Sequence, residues 1–327
     1  MKTRPGFALF VLFLLWLTVL AVAPLVGSQS VSLLDALRGE PTASAIFFQL
    51  RLPRVLLALL AGAGLAVSGL AFQTLFRNEL AEPYTLGIAT GAALGAVLAL
   101  RLEESGVLLG MSLVSLASFA GAIGATALVV GLAWRRRGST ATLLLAGIAV
   151  SLSCSALILF LQYLSDSTQT FRMVRWMMGG LSVVGYGEVL WTAPWVLGGA
   201  AVLLALRWDL NLLLLGEELA ASRGVDLVRL RLRVLGVASL MIGALVAVAG
   251  PIGFVGLMVP HMIRRWVGHD HLFLAPACLL GGGAFLATCD VAARTVMAPA
   301  ELPVGVLTAL LGGPFFLWLL VLGRKER

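Results

Sequence analysis

The sequence predicts an all-α polytopic membrane protein with ten transmembrane helices. Hydrophobic residues make up 60% of the 327 residues and charged residues only 12%, and no soluble domain has enough interior to bury so much apolar surface. The apolar runs are continuous rather than alternating, which argues against a β-barrel. The net charge of +7 is typical of arginine-rich cytoplasmic loops, so nucleic acid is not an expected partner.

The first apolar run covers residues 6–26 and follows two basic residues at the N-terminus. An Ala-Val-Ala triplet at 21–23 would suit the cleavage site of a signal peptide. The run is longer than the usual apolar core of such a peptide, however, and Pro24 follows it directly. An uncleaved first membrane helix is therefore expected.

The second span, residues 55–76, meets the length of about 20 apolar residues that a helix needs to cross a bilayer. Gly62, Gly64, Ser68 and Gly69 have little or no side chain. Such small residues favour the close approach of another helix. We therefore expect this helix to be tightly packed.

The remaining spans are expected at 85–100, 111–134, 141–164, 188–206, 234–250, 252–263, 272–292 and 303–322. The run 252–263 is short for a span. Counting it leaves most arginines and lysines on the N-terminal side, whereas omitting it would place the basic C-terminal tail outside. The positive-inside rule therefore favours ten helices with both termini cytoplasmic.

Residues 209–233 form an amphipathic segment in which acidic and basic residues alternate. Gly216 and Gly224 are expected to break it into short helices. A segment of this kind can dock in a groove of a partner protein. It can equally lie on lipid headgroups, and the residues alone leave both interpretations open.

Several absences limit the chemistry of the chain. Lysine occurs only at Lys2 and Lys325, so the sequence holds no G-x-x-x-x-G-K-[ST] phosphate-binding loop, and a partner would have to hydrolyse ATP. The sequence offers no identifiable pair of a nucleophile and a general base, so an enzyme is not expected. His261, His269 and His271 lie close together in the sequence, but a short cytoplasmic loop is a better interpretation than a metal site.

Ionisable residues are nearly absent from the apolar runs, although they would mark a proton path. Asp290 and Arg294, at positions i and i+4 near the outer end of the ninth helix, are the exception. A structural pair and a functional role are equally consistent with that spacing. The shortage of embedded carboxylates disfavours a proton-coupled carrier.

Motifs spread over residues 51–323 resemble one family of transport proteins. They are Arg-Leu-Pro-Arg at 51–54, Gln73 before Arg77-Asn78, Leu-Gly-Ile at 86–88, Trp-Met-Met-Gly-Gly at 176–180, 250–257, Pro260-His261 with Arg264, 268–271, Asp290 with Arg294, 301–305 and 312–316. In this order they resemble the permease subunits of iron-siderophore, haem and cobalamin ABC importers, the FecCD family.

The resemblance implies the BtuC-like fold of type II ABC importer permeases, as one permease domain over 1–327. It implies a homodimer in the bacterial or archaeal cytoplasmic membrane, two ABC ATPase subunits on the cytoplasmic face and an extracytoplasmic substrate-binding protein. No metal or cofactor is expected on this chain, because ATP is used by the partner subunits. The substrate would be a metal chelate whose identity these motifs do not distinguish. The alternative is an autonomous channel or secondary transporter for a small solute.

The resemblance also implies roles for particular residues. Docking of the binding protein falls to Arg51, Arg54 and Arg294, although Arg51 and Arg54 would also suit lipid anchors. Coupling to the ATPase falls to Gly216, Glu217, Glu218, Ala221, Arg223, Gly224 and Val225. The cytoplasmic gate falls to Asn78, Glu79, Leu80, Ser139 and Thr140. Relatives usually carry proline where this chain has Glu79, and proline would stiffen the turn.

Overall fold

The computed structural model is a bundle of apolar helices, and it describes residues 5–27, 32–82, 86–102, 107–108, 111–134 and 140–322. The helices are α1 (Pro5–Val22), α2 (Leu33–Leu37), α3 (Pro41–Ser44), α4 (Leu52–Leu75), α5 (Ile88–Arg101), α6 (Leu113–Trp134), α7 (Thr140–Tyr163), α8 (Ser167–Met177), α9 (Gly187–Ala205), α10 (Arg207–Leu214), α11 (Glu217–Ser222), α12 (Leu227–Ala249), α13 (Val255–Val267), α14 (His271–Thr295) and α15 (Val304–Leu322). A π-helical turn, Ala45–Arg51, joins α3 to α4, and two short antiparallel strands, β1 (Val107–Leu108) and β2 (Met111–Ser112), precede α6.

The ten predicted spans are confirmed as helices. Within the residues that the structure describes, seven helical runs are long and apolar enough to cross a membrane: α1, the run from α3 through α4, α6, α7, α9, α12 and α14. The shorter apolar helices α5 and α15 add two, and α13, the run that is short for a span, completes the ten.

Helix α4 lies at the centre of the bundle, where it packs against α9, α12, α13 and α14. A Cβ atom at Gly62 would overlap the carbonyl oxygen of Gly282 on α14. One at Gly69 would overlap the carbonyl oxygen of Gly256 on α13. The absence of side chains therefore lets two neighbouring backbones touch α4, which confirms the close packing predicted from its small residues.

The amphipathic segment is broken as predicted. Gly216 (φ 128°) precedes α11 and Gly224 (φ 89°) follows it, and both conformations favour glycine because a side chain would be strained there. Helix α12 begins earlier than the predicted span, at Leu227. The Asp226 carboxylate caps it by accepting a hydrogen bond from the Arg229 N–H at 3.0 Å, and Leu230 is already buried.

The polar connection expected at 165–187 contains a helix, α8. The Asp166 side chain accepts a hydrogen bond from the Gln169 N–H at 2.8 Å, which satisfies one of the free donors at the helix N-terminus. Met173 on the inner face is fully buried. The helix is amphipathic and has no long apolar run, so hydropathy did not indicate it.

The two ends of the bundle are named after residues near the two ends of α4. The Arg54 end carries Arg51, Arg54 and the C-terminal part of α14. The Glu79 end carries the connection after α4, together with α10 and α11. Each predicted site residue that is described lies at one end or the other.

Candidate functional site

A cavity of about 770 Å³ lies between α5, α7, the end of α8, residues 251–254 and α15. Its wall is mostly apolar, and the polar side chains among its described lining residues are those of Glu82, Thr90, Ser155 and Gln162. Leu159 on α7 and Leu310 on α15 belong to this wall, yet they are 66% and 63% exposed. One chain therefore forms only part of an enclosure.

The wall opposite α7 is built by backbone contacts between three of the sequence motifs. Gly180 N–H donates to the Ala249 carbonyl at 2.7 Å, and Gly305 N–H donates to the Gly179 carbonyl at 3.3 Å. A Cβ atom at Gly179 would overlap the Pro251 carbonyl oxygen. The glycines of these motifs thus permit three chain segments to meet where a side chain would hold them apart.

Glu82 lies on the connection between α4 and α5 and faces the cavity. Its carboxylate accepts a hydrogen bond from the Phe254 N–H, but burial outweighs that bond and raises the pKa of Glu82 to about 7. Desolvation favours the uncharged form of a carboxyl group. The acidic residue of the cavity is therefore partly protonated near neutral pH.

At the Arg54 end, Asp290 is the centre of a group of charges that we call the Asp290 cluster: Arg54, Asp290, Arg294 and Glu301. Asp290 is fully buried. Arg54 Nε donates to its two carboxylate oxygens at 2.9 and 3.1 Å, and Arg294 Nε lies 3.2 Å from Oδ2. Glu301 pairs with Arg54 Nη1 at 2.7 Å. The structure thus shows Asp290 and Arg294 as an ion pair, which supports the structural interpretation of their spacing.

Arg51 and Arg294 also hold the chain just after α1. Arg51 Nη1 donates to the Leu25 carbonyl at 3.2 Å, and Arg294 Nη2 donates to the Ala23 carbonyl at 3.1 Å. Carbonyl groups beyond a helix C-terminus lack helical partners and attract cations. Arg51 is only 7% exposed and Arg294 only 3%, so this packing uses most of their surface.

The three arginines predicted to dock a binding protein therefore come together at one end. They surround part of a cavity of about 370 Å³ that also contacts Glu301. Their partners within the described residues include Asp290, Glu301 and backbone carbonyls. The docking role stays a prediction, and Glu301, at 42% side-chain exposure, is the accessible member of the group.

At the opposite end, the predicted gate residue Glu79 is held by two side chains of α13. Its carboxylate lies 3.5 Å from His261 Nδ1 and 3.1 Å from Arg264 Nη1. The hydrogen bond from His261, together with the charge of Arg264, lowers the pKa of Glu79 below its usual range. Arg264 also donates to Gln73 Oε1 at 2.9 Å. An ionised glutamate thus ties this turn to α13.

The neighbouring gate residues form a tight turn. Asn78 Oδ1 accepts a hydrogen bond from the Leu80 N–H at 2.9 Å, which is the local bond of an Asx turn. Leu80 is exposed at the tip. Ser139 lies outside the described residues, and Thr140 contacts α11 and α12.

The predicted coupling residues lie in α11 and directly beside it, at the Glu79 end. Ala220 anchors this short helix because it is fully buried, whereas Glu218, Ala221, Arg223 and Gly224 are exposed. Large apolar side chains on the same segment are exposed as well, namely Leu215, Leu219 and Val228. The exposed surface of α11 and its flanks therefore mixes charged and apolar groups, as protein interfaces do.

Two contacts that sequence reasoning missed fasten this segment to the bundle. In the first, Asn211 on α10 accepts hydrogen bonds at Oδ1 from the N–H and from Nδ1 of His271, both at 2.9 Å. An amide oxygen only accepts, so Nδ1 carries a proton and Nε2 faces the Thr74 hydroxyl at 2.9 Å. Asn211 thereby joins α10 to the start of α14 and to α4.

The second contact is the Arg231 cluster, formed by Thr140, Glu217 and Arg231. Arg231 Nη2 lies 2.7 Å from Glu217 Oε2 and donates to Thr140 Oγ1 at 3.2 Å. The Thr140 hydroxyl donates to Glu217 Oε1 at 3.2 Å. The cluster joins α7, α11 and α12. Arg231 resembled any of the other arginines of the amphipathic segment, and no local signal distinguished it.

Comparisons with known proteins agree along nearly the whole chain. The FecCD transport family matches residues 9–322. The hemin transport system permease protein HmuU of Yersinia pestis is 44% identical over 283 residues, covering 86% of this chain and 85% of that protein. The vitamin B12 import system permease protein BtuC of Shigella boydii is 40% identical over 323 residues, covering 97% and 95%.

A solved structure is similar as well. It is described as an inward-facing conformation of a metal-chelate type ABC transporter. The match has a TM-score of 0.87 at 35% sequence identity and covers 96% of this chain and 98% of that one. Sequence and fold therefore point to the same group of membrane proteins.

Proposed function

Because the chain belongs to the FecCD transport family, we propose that it is the permease subunit of an ABC importer that moves a metal chelate across the cytoplasmic membrane. The observation that carries the proposal is the cavity of about 770 Å³ between membrane-spanning helices. Its wall is apolar with few polar groups, which suits a bulky chelate that must pass without being held tightly. Haem and cobalamin, the cargoes named for the two relatives, are of this class.

Two copies of the chain form the path. The exposed wall residues Leu159 and Leu310 support this part of the proposal, because a second copy facing α7 and α15 would close the cavity. Further apolar side chains on the same helices, such as Leu152 and Leu317, are also exposed. Each copy forms a single permease domain over 1–327.

Energy comes from two ABC ATPase subunits at the Glu79 end, which is the cytoplasmic end. The exposed surface of α11, with its charged and apolar side chains, supports this docking role. The chain itself binds no cofactor in this proposal and hydrolyses no ATP, consistent with a sequence that holds no phosphate-binding loop.

The Arg54 end faces outward and receives the binding protein. Arg54 is the cation that a partner could contact there, because it is paired with Glu301, whose side chain is 42% exposed. A carboxylate of the binding protein would take the place of Glu301, while Arg51 and Arg294 support the site from behind. Both chain termini are cytoplasmic.

The test is reconstitution of the purified chain with the ATPase and binding protein encoded beside its gene. Vesicles containing the complete assembly are supplied with haem, cobalamin or a ferric siderophore. We expect uptake of one of these chelates that requires ATP, the ATPase and the binding protein. Uptake by the chain alone would instead favour an autonomous channel or carrier.

A further inference from the structure

The Arg231 cluster lies where the exposed segment meets a helix that lines the cavity. Glu217 is the first residue of α11, and Thr140 is the first residue of α7. Farther along α7, Ser155, Leu159 and Gln162 form part of the cavity wall. One rigid helix thus runs from the Arg231 cluster to the path.

The cluster is built for a firm connection. The Arg231 side chain is only 15% exposed and that of Glu217 is 38% exposed, so water competes only partly with their contacts. A guanidinium can bond two acceptors with fixed geometry, and here it contacts a carboxylate and a hydroxyl that are themselves hydrogen-bonded. The three groups hold one another in place.

The other attachment of the same segment leads elsewhere. Asn211 binds His271 at the start of α14, and His271 reaches Thr74 on α4. Helices α4 and α14 pack against each other with glycine contacts, so this attachment holds α10 to the centre of the bundle. Of these two attachments, the Arg231 cluster is the one that reaches a helix lining the cavity of about 770 Å³.

We propose that Arg231 and Thr140 are positioning residues that link α11 to α7, so that a displacement of α11 by the ATPase moves the cavity wall. The inference rests on the proposed function, and it identifies the contact through which ATP hydrolysis by the partner would act on the transport path. Arg231 lies on α12 and contacts the first residue of each helix, Glu217 of α11 and Thr140 of α7. Coupling of this kind needs a direct test, because contact alone does not prove it.

The experiment replaces the hydroxyl of Thr140 without changing its shape. Thr140→Val removes both hydrogen bonds of the side chain, whereas Thr140→Ser keeps the hydroxyl. In the reconstituted assembly we expect Thr140→Val to lose at least tenfold in uptake, together with the stimulation of ATP hydrolysis by loaded binding protein. Thr140→Ser should recover most of both. Co-purification of the ATPase with each variant shows that the assembly is intact.

Two further variants make the result specific. Thr126→Val on α6 is the matched control, because the Thr126 hydroxyl bonds the carbonyl of Ala122 in its own helix, and it should transport like the wild type. Arg231→Ala should reproduce the defect of Thr140→Val. Wild-type uptake by both Thr140→Val and Arg231→Ala would overturn the inference, as would loss of ATPase binding in Thr140→Val. Failure of the wild-type assembly to transport would instead overturn the proposed function.

Discussion

Individual side chains at the Arg54 end serve the fold before they serve any partner. Asp290 is buried between Arg54 and Arg294, and breaking one partner of a buried ion pair typically costs about 3–5 kcal/mol. Reversing the charge of Arg54 would therefore damage the protein rather than report on docking. Glu301 offers a cleaner change, because its carboxylate is the exposed member of the Asp290 cluster.

Glu301→Gln should strengthen binding of the binding protein. The variant removes the charge that competes for Arg54 Nη1, and an exposed ion pair contributes about 0–1 kcal/mol, so we expect an affinity gain of up to about fivefold. The gain should shrink at high salt, where exposed charges are screened. Titration of the purified chain with its binding protein at two salt concentrations measures this.

Glu40→Gln serves as the control, because it removes an exposed carboxylate at the N-cap position of α3, outside the Asp290 cluster. It should leave the affinity unchanged. Weaker binding of the Glu301→Gln variant would mean that Glu301 attracts the partner rather than competing with it.

Glu82 should make the stability of the chain depend on pH. Burial raises its pKa from 4.5 to about 7, so the folded state binds the proton more tightly than the unfolded state does. The contribution of Glu82 to the free energy of unfolding is therefore fully present below about pH 4.5, and it is lost as the pH rises through 7. Thermal unfolding of wild type and Glu82→Gln between pH 5 and 8 tests this.

As the pH rises across that range, the melting temperature of the wild type should fall more than that of the glutamine variant, which carries no titrating group at this position. The difference between the two curves isolates Glu82 from the other ionisable groups. Parallel curves would show that the Glu82 carboxylate is solvated in the folded protein.

At the scale of helices, the contact between α4 and α14 depends on a residue without a side chain. Gly62→Ala places a methyl group against the carbonyl oxygen of Gly282, and overpacking of this kind typically costs about 1–3 kcal/mol. Gly198→Ala on α9 is the matched control, because no atom lies within 4 Å of its added methyl group. Thermal unfolding in detergent should show a lower midpoint for Gly62→Ala only.

The control should be neutral or slightly stabilising, since alanine favours a helix over glycine by up to about 1 kcal/mol. Equal midpoints for Gly62→Ala and Gly198→Ala would mean that α4 and α14 separate easily, against the close contact of their backbones.

The sequence predicted the elements better than their partners. Hydropathy located most of the ten spans because a span needs a long apolar run, whereas the short run of α13 was counted because of the positive-inside rule. Small residues indicated where α4 is approached closely. Helix α8 and the early start of α12 were missed because both are amphipathic. The Arg54–Asp290 pair joins positions 236 residues apart, and no local pattern carries that information.

The candidate site divides in the same way. The resemblance to the family identified the arginines of the Arg54 end and the residues around α11 as candidates. In the structure, the members of each set lie close together. Asn211 and Arg231 were missed, because an asparagine or arginine in a polar segment looks like a solvated residue until its partner is known. The roles in docking, coupling and gating stay predictions.

For the whole molecule, the two ends differ, and under the proposed function this difference assigns a direction of transport. The Arg54 end holds its charges in the buried Asp290 cluster. The Glu79 end presents α11 with exposed charged and apolar groups. An importer needs these ends on opposite sides of the membrane, with α11 inside and the loop before α15 outside.

Cysteine labelling tests this orientation, and the chain is well suited to it because Cys154, Cys278 and Cys289 are all buried. We expect an impermeant thiol reagent added to spheroplasts to label Ser167→Cys and Ala300→Cys, which are exposed at the outer end. Ser222→Cys, exposed on α11, should react only after the membrane is opened. Gly216 would be a poorer position, because its φ of 128° disfavours cysteine. Labelling of Ser222→Cys in sealed spheroplasts would reverse the orientation and place the coupling surface where no ATPase can reach it.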